Sequence, residues 1–352
     1  MHMADALISP VVGGTMWVVT AGLTVYSANK LKQNFDDSKA PLMGVLGAFI
    51  FAAQMINFTI PATGSSGHLG GGMILAILMG PYAAFLTMAS ILIVQALFFA
   101  DGGILALGCN IFNLGFFPCF IVYPFIYRKI VGDKPTPKTL LTGCLVSGIL
   151  ALQMGAFSVV VETLSSGISE LPFKTFLLLM QPIHLAIGIV EGFVTAAVVT
   201  FVWKARPEVL ETAVAPRSLG WSGIKNVLVG LLVVAALTGA VLSWFASANP
   251  DGLEWSMART SGKEELESPE HGIHSTLAAL QEKTAFLPDY SFKAKEEPAE
   301  PDKAKPEGEP KAEEAWPAVS AGTSVSGLVG GLMTMVLAGL IGFGLSRFYR
   351  KG

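Results

Sequence analysis

Apolar stretches long enough to cross a bilayer recur along this chain, and no other feature restricts its fold so severely. A spanning helix needs about 20 mostly apolar residues. Runs of that kind cover roughly 7–28, 41–60, 72–100, 104–127, 140–161, 176–202, 224–245 and 326–345. Only 14% of the 352 residues are charged, where soluble domains carry about 25%, and the mean hydropathy is +0.58. The expectation is an all-α polytopic membrane protein.

Charge orients the crossings, because short loops rich in Lys and Arg stay cytoplasmic. The first stretch ends in Lys30, Lys32 and Lys39, which puts the N-terminus outside. The second returns outward at a glycine-rich loop, 64–72, that contains His68. Residues 72–100 are long for one crossing and are broken by Gly80-Pro81. A single crossing there would carry the basic loop from Arg128 to Lys138 outside, so two short segments, or a re-entrant pair, are expected. Beyond 140–161 an acidic outer loop holds Glu162 and Glu170, and Trp203-Lys204-Ala205-Arg206 lies inside.

The expected architecture is a bundle of about seven crossings followed by a two-helix accessory part. Its N-terminus is out, and its C-terminus, with Arg347, Arg350 and Lys351, is in. The domains read as 1–205, a cytoplasmic linker 206–223, and 224–352 with an extracytoplasmic loop 247–325. Around 293–315 the loop is almost all Lys, Glu, Pro, Ala, Asp and Gly, a composition that stays disordered. A multi-pass protein of a prokaryotic plasma membrane is implied.

Several function classes are excluded. No GxxxxGK[ST] phosphate loop occurs, so the chain itself is not expected to hydrolyse ATP. There is no HExxH, nucleophile elbow or catalytic carboxylate pair, which argues against an enzyme. A net charge of -3 without a basic helix gives no basis for nucleic-acid binding. Cys109, Cys119 and Cys144 sit in apolar runs and read as packing. No secretory signal is apparent in front of the first crossing.

The chemistry points to Met1-His2-Met3. An N-terminal amine, the deprotonated amide nitrogen of His2 and the His2 imidazole are spaced to close fused chelate rings. Three nitrogens in one plane leave one corner open, which suits Ni(II) or Cu(II). The bulk of His2 should protect Met1 from removal. His68, in a loop on the same expected side, is the candidate fourth nitrogen. Its flanking glycines permit tight folding, since positive φ is cheap only for Gly.

Asn57, Ser66, Asn110, His184 and Glu191 are candidates to surround that site. His184 and Glu191 are seven apart on one helix, on one face and about 10 Å apart along the axis; ionisable groups inside a membrane are costly and usually functional. Asn110 with Asn113, and Gln54 with Asn57, are polar pairs able to hydrogen-bond between helices. Gly44, Ala48 and Ala52 form a small-residue stripe that suits close helix approach, either within the bundle or to a partner. His271 and His274 read as solvent-exposed.

Joined together, Met1-His2-Met3, Gly67-His68-Leu69-Gly70-Gly71, Asp101-Gly102-Gly103 with Asn110-Ile111-Phe112-Asn113, and His184 with Gly188 and Glu191 resemble a known family. It is the metal-binding membrane component of cobalt/nickel energy-coupling-factor transporters. Pro250-Asp251-Gly252-Leu253-Glu254-Trp255, with Pro288-Asp289-Tyr290 behind it, resembles the signature of the family's small accessory subunit, fused here. The resemblance implies uptake of Ni(II) or Co(II), held by the terminal amine, the His2 amide and imidazole, and the loop histidine. It also implies partners: a transmembrane coupling subunit and two ATPase subunits. Nickel is the expected ion, since planar amide-nitrogen ligation suits it; cobalt is the alternative. A self-sufficient secondary permease is a further alternative, and would need repeated membrane-embedded carboxylates where Glu191 alone is expected well inside a helix. One departure is Met-Ala-Asp-Ala after His2, where members often carry Ile-Pro-Asp-Gly. The resemblance tilts the Gly44 stripe toward a partner subunit.

Overall fold

The computed structural model describes residues 2–33, 39–214, 221–269, 271–293 and 316–349. Met1 and the stretch 294–315 expected to be disordered lie outside the described residues. Helix α1 (Pro10–Gln33) is followed by α2 (Lys39–Gln54) and a small antiparallel hairpin, β1 (Phe58–Ile60) with β2 (Ser65–Gly67). Then come α3 (Gly72–Met79) and α4 (Pro81–Phe99). Six helices among the described residues are long and apolar enough to cross a membrane, and α2 is a shorter apolar helix.

Two helices, not one, therefore occupy 72–99. Gly80 separates them with φ 81° and ψ 164°, a conformation a side chain resists, and Pro81 pre-sets the first turn of α4. At eight residues α3 rises only about 12 Å, less than half of a hydrocarbon core. It owes its full burial to the bundle around it.

The next span, Leu107–Val131, is continuous. It begins as α5 (Leu107–Ile111), widens to π-type winding over Phe112–Tyr127 and ends as α6 (Arg128–Val131). Pro118 and Pro124 lie inside the wide stretch, and each removes a donor from the regular ladder, which makes the wider winding tolerable.

Helices α7 (Pro137–Ser166) and α8 (Phe173–Ala205) form a tight pair. A Cβ on Gly148 would lie 2.9 Å from the Gly192 backbone, and one on Gly192 would lie 2.6 Å from Leu145 Cα, so glycine sets the interaxial distance. The expected acidic outer loop is partly corrected here. Glu162 lies inside α7, is buried, and takes a hydrogen bond of 2.7 Å from Asn113 Nδ2. Glu191 is therefore not the sole carboxylate within a helix.

Past α9 (Pro207–Val214), α10 (Trp221–Ala240) leads into a polar segment carrying α11 (Gly252–Ser261) and α12 (Ile273–Thr284). The chain closes with α13 (Ala321–Tyr349). α10 and α13 both pack on α2, α11 rests on α8 and β2, and α12 rests on α4. The Gly44 stripe is thus covered by this chain's own α13, a correction to the partner reading. A Cβ on Gly44 would meet the Met335 carbonyl at 2.9 Å, and Ala48 faces Gly331. The polar segment is left draped over the hairpin and the loop after α4.

Candidate metal centre

The N-terminal residues are threaded into the bundle and do not hang from it. Met3 is fully buried. Its amide donates to Asn110 Oδ1 at 2.8 Å, and its carbonyl accepts from Asn110 Nδ2 at 3.2 Å and from the Gly103 amide at 2.9 Å. The Asn110 carboxamide thus acts as one rung of a ladder, leaving no Met3 backbone group unpaired in the interior. Two residues on, Asp5 Oδ1 accepts from the Ala106 amide at 2.9 Å. Gly103 leaves no room for a side chain beside Asp5. These contacts bring His2 next to the loop after α4.

The loop bearing His68 is anchored from below. Glu191 in α8 accepts from the Gly70 and Gly71 amides at 2.5 and 3.0 Å. Gln54 Nε2 donates to the Gly70 carbonyl at 2.9 Å, and Gln95 Nε2 braces Gln54 Oε1 at 2.8 Å. Gly71 has φ +76°, and a Cβ there would sit 2.6 Å from Ile50 Cγ2, so only glycine fits. His68 Nδ1 lies 3.1 Å from the Leu69 carbonyl. A carbonyl only accepts, so Nδ1 carries the proton and Nε2 presents its lone pair.

The accessory part grips this loop from above. Ser66 donates its amide to the Pro250 carbonyl at 2.8 Å and its hydroxyl to the Asn249 carbonyl at 2.7 Å. Trp255 Nε1 donates to the Thr63 carbonyl at 3.0 Å. The Ser247 amide donates to the Asn57 carbonyl at 2.7 Å. Asp251 caps α11, accepting from the Leu253 and Glu254 amides at 2.7 and 2.9 Å, while Glu254 closes the capping box onto the Asp251 amide at 2.8 Å. Its other oxygen stands 3.8 Å from His68 Nε2.

At the centre the His2 and His68 rings stack, with centroids 5.0 Å apart and planes 3° from parallel. His2 Nδ1 lies 3.0 Å from Asp101 Oδ1, and Tyr290 of the accessory part donates its hydroxyl to Asp101 Oδ2 at 2.5 Å. Burial alone would raise the Asp101 carboxyl; His2 beside it and the hydrogen bonds from His2 and Tyr290 hold it well below the usual range. Burial pushes His68 down to about 3, with His2 acting in the same direction, so its imidazole is neutral at physiological pH and able to ligate. Burial, helped by the Asp251 charge, raises Glu254 to about 7.

His2, His68 and Asn57 therefore line one cavity, together with Asp101, Asp251 and Tyr290. Asn110, Glu191 and Ser66 hold the surrounding backbone. His184 is set apart: its Nδ1 donates to the Met180 carbonyl at 2.8 Å within its own helix, and its Cε1 packs under Gly252. His274 corrects the exposed reading, for it is 4% exposed and its Nε2 donates to the Ile8 carbonyl at 3.0 Å; His271 is exposed. Asp101, Asp251 and Tyr290 sit in the Asp101-Gly102-Gly103, 250–255 and 288–290 motifs, but no role follows from their spacing. A carboxylate in a glycine turn reads locally as a turn former.

Residues 2–209 match the family described as the cobalt uptake substrate-specific transmembrane region, and 225–347 match the PDGLE domain. A putative fused nickel transport protein of Archaeoglobus fulgidus is 31% identical over 99% of both chains. A fused nickel transport protein of Rhodobacter capsulatus is 28% identical over 83% of this chain and 88% of its own. A cobalt transport protein of Geobacter sulfurreducens is 30% identical over 60% of this chain and 61% of its own. Among solved structures, a transition metal transporter superposes with a TM-score of 0.53 at 28% identity, covering 62% of this chain and 100% of that one.

Proposed function

The chain belongs to the cobalt uptake substrate-specific transmembrane family, and we propose that it is the substrate-binding membrane subunit of an ATP-driven energy-coupling-factor importer for nickel ions. It is a multi-pass membrane protein of the metal-transport class. In this reading residues 1–205 bind the ion and 224–352 are the accessory part. The ion is captured from outside and released inward when a transmembrane coupling subunit and two ATPase subunits move the bundle. The chain itself has no phosphate-binding loop to power that step.

The observation that carries the reading is the meeting of His2 and His68, whose rings stack at 5.0 Å although one belongs to the N-terminus and the other to a loop beyond two helices. The Met1 amine, the His2 amide nitrogen and the His2 imidazole would form the chelate, and His68 Nε2 would fill the fourth corner. A five- and six-membered ring pair closes through Nδ1 of His2, the nitrogen now 3.0 Å from Asp101. Binding therefore exchanges a carboxylate contact for the metal, with Asp101 remaining close by as counter-charge. Nickel is favoured because planar nitrogen ligation suits it and because the relatives that span both parts of this chain are named as nickel proteins. Cobalt is the second reading, carried by the relative from Geobacter sulfurreducens.

The test is isothermal titration of nickel into purified protein with its native terminus, into protein carrying one extra N-terminal residue, and into His68→Ala. The extension converts the Met1 amine to an amide and displaces His2. Loss of binding in both variants is expected; equal binding by the extended protein sinks the chelate. Uptake measured with and without the ATPase partners separates this importer from a self-sufficient permease.

A further inference from the structure

We propose that the cavity between the two parts of the chain is a capture chamber for a hydrated divalent cation, which holds the ion before it reaches the chelate. This rests on the metal-binding reading above and concerns how the ion arrives, not what finally ligates it.

The cavity measures about 770 Å³. The six waters of a hydrated ion take about 180 Å³ at their liquid share of ~30 Å³ each, so the chamber has room for the ion with its shell intact. The walls are graded in depth. Glu265 and Asp289 are exposed at the rim, Glu254 lies deeper, and Asp101 and Asp251 stand beside the two histidines at the floor. No lysine or arginine lines the cavity among the described residues. Two nearby cations of the polar segment are engaged elsewhere: Lys263 pairs with Glu267 at 3.3 Å, and Arg259 lies over the Trp255 ring at 5.5 Å.

A separate observation shows where the chamber leads. His2 has a side chain only 7% exposed, lines the cavity, and leaves its Nε2 buried with no hydrogen-bond partner. A buried donor or acceptor is ordinarily satisfied by something that occupies the space. The rim is itself held in costly geometry. Asp289 and Tyr290 have φ of 48° and 57°, a region that favours glycine, and such residues concentrate where a ligand is handled.

The physical advantage is kinetic. A hydrated transition-metal ion is captured at a rate set by two factors: how often it sits beside its ligands with its shell intact, and how fast it then loses water. Protein charges leave water loss largely unchanged, but a carboxylate-walled chamber raises the first factor. Glu254, Glu265 and Asp289 all belong to the accessory part, so the chamber exists only when that part is docked on the hairpin.

The experiment is stopped-flow association of nickel chloride with the purified full chain, comparing wild type with E265Q/D289N at ~10 mM and ~500 mM ionic strength. Both positions are exposed, and Asn tolerates the left-handed conformation at 289, so the fold is retained. At low salt the association rate should fall roughly tenfold, and the gap should close at high salt, where the screening length is only a few ångströms. Glu267→Gln removes one carboxylate charge from the same segment, where it faces Lys263; it is the control and should alter the rate less than twofold. An unchanged rate in E265Q/D289N, a fall that persists at high salt, or an equal fall in the control overturns the chamber. Failure of the chelate would show instead in the equilibrium titration of the N-terminally extended protein, which does not depend on these rates.

Discussion

Asp101 joins the two parts of the molecule at one side chain: its Oδ1 lies 3.0 Å from His2 Nδ1, and its Oδ2 receives the Tyr290 hydroxyl at 2.5 Å. A residue of the loop after α4 thus orients the N-terminal histidine, and a residue of the accessory part orients that carboxylate. Once the metal takes Nδ1, Asp101 stays beside it as a counter-charge, a close charge pair worth about 1–4 kcal/mol, or roughly 5- to 1,000-fold in affinity. Asp101→Asn keeps the shape but loses the charge, and nickel affinity by titration should fall within that range. Unaltered affinity would mean that Asp101 serves the apo-state only. Tyr290→Phe removes a hydrogen bond to Asp101 that is already made without the metal, and should weaken binding by a smaller factor.

Glu191→Gln tests the anchor of the His68 loop. The carboxylate accepts from both the Gly70 and Gly71 amides, whereas a carboxamide turns one of its ends into a donor facing an N–H. Leaving a buried amide unpaired costs about 1–3 kcal/mol. A lower melting temperature in detergent together with weaker nickel binding is expected. A melting curve superimposable on wild type would remove Glu191 from this role.

Gly103→Ala tests the seat of the N-terminal segment. A Cβ at this position overlaps the Asp5 carboxylate and comes within 2.5 Å of the Asp5 amide nitrogen. The segment has to move, and His2 moves with it. Nickel affinity should drop at least tenfold, on the scale of misplaced ligand supports. The helical circular dichroism should be retained, since Gly103 lies in a loop. Wild-type affinity would show that the segment reaches the site by another path.

Acid should loosen the apo-protein through His68. Burial holds the folded imidazole at about 3, whereas in the unfolded chain it titrates near 6.5. Below about 6.5 the unfolded state binds the extra proton, so the stability present above that pH is lost progressively as pH falls toward 3. The melting temperature of metal-free protein should decline over that window, and His68→Gln should flatten the decline. Equal slopes in both proteins would contradict the assignment.

Much of this was legible from residues alone. The apolar runs marked the spans because a bilayer demands continuous hydrophobic length, and Gly80-Pro81 marked the break between α3 and α4 because backbone chemistry acts locally. His2 and His68 stood out as histidines beside glycine or a terminus, and the structure brings them together. The Gly44 stripe identified a close helix contact but not its occupant, since any helix satisfies small residues and α13 lies far along the chain. His274 looked exposed in a polar segment, and only the docking of that segment places it on the Ile8 carbonyl.

The sequence by itself determined that the chain is helical, that it is built for a membrane, and that its nitrogen donors lie at two places near the ends of spans. Those properties are encoded in runs of adjacent residues. Tertiary structure alone decided that Asp101 meets His2, that Glu191 ties down the glycine loop, and that Asp251 and Tyr290 of the accessory part reach the same cavity. Each of these is a contact between residues distant in sequence. Its energy depends on the depth and orientation at which whole helices pack, and no local pattern carries that information.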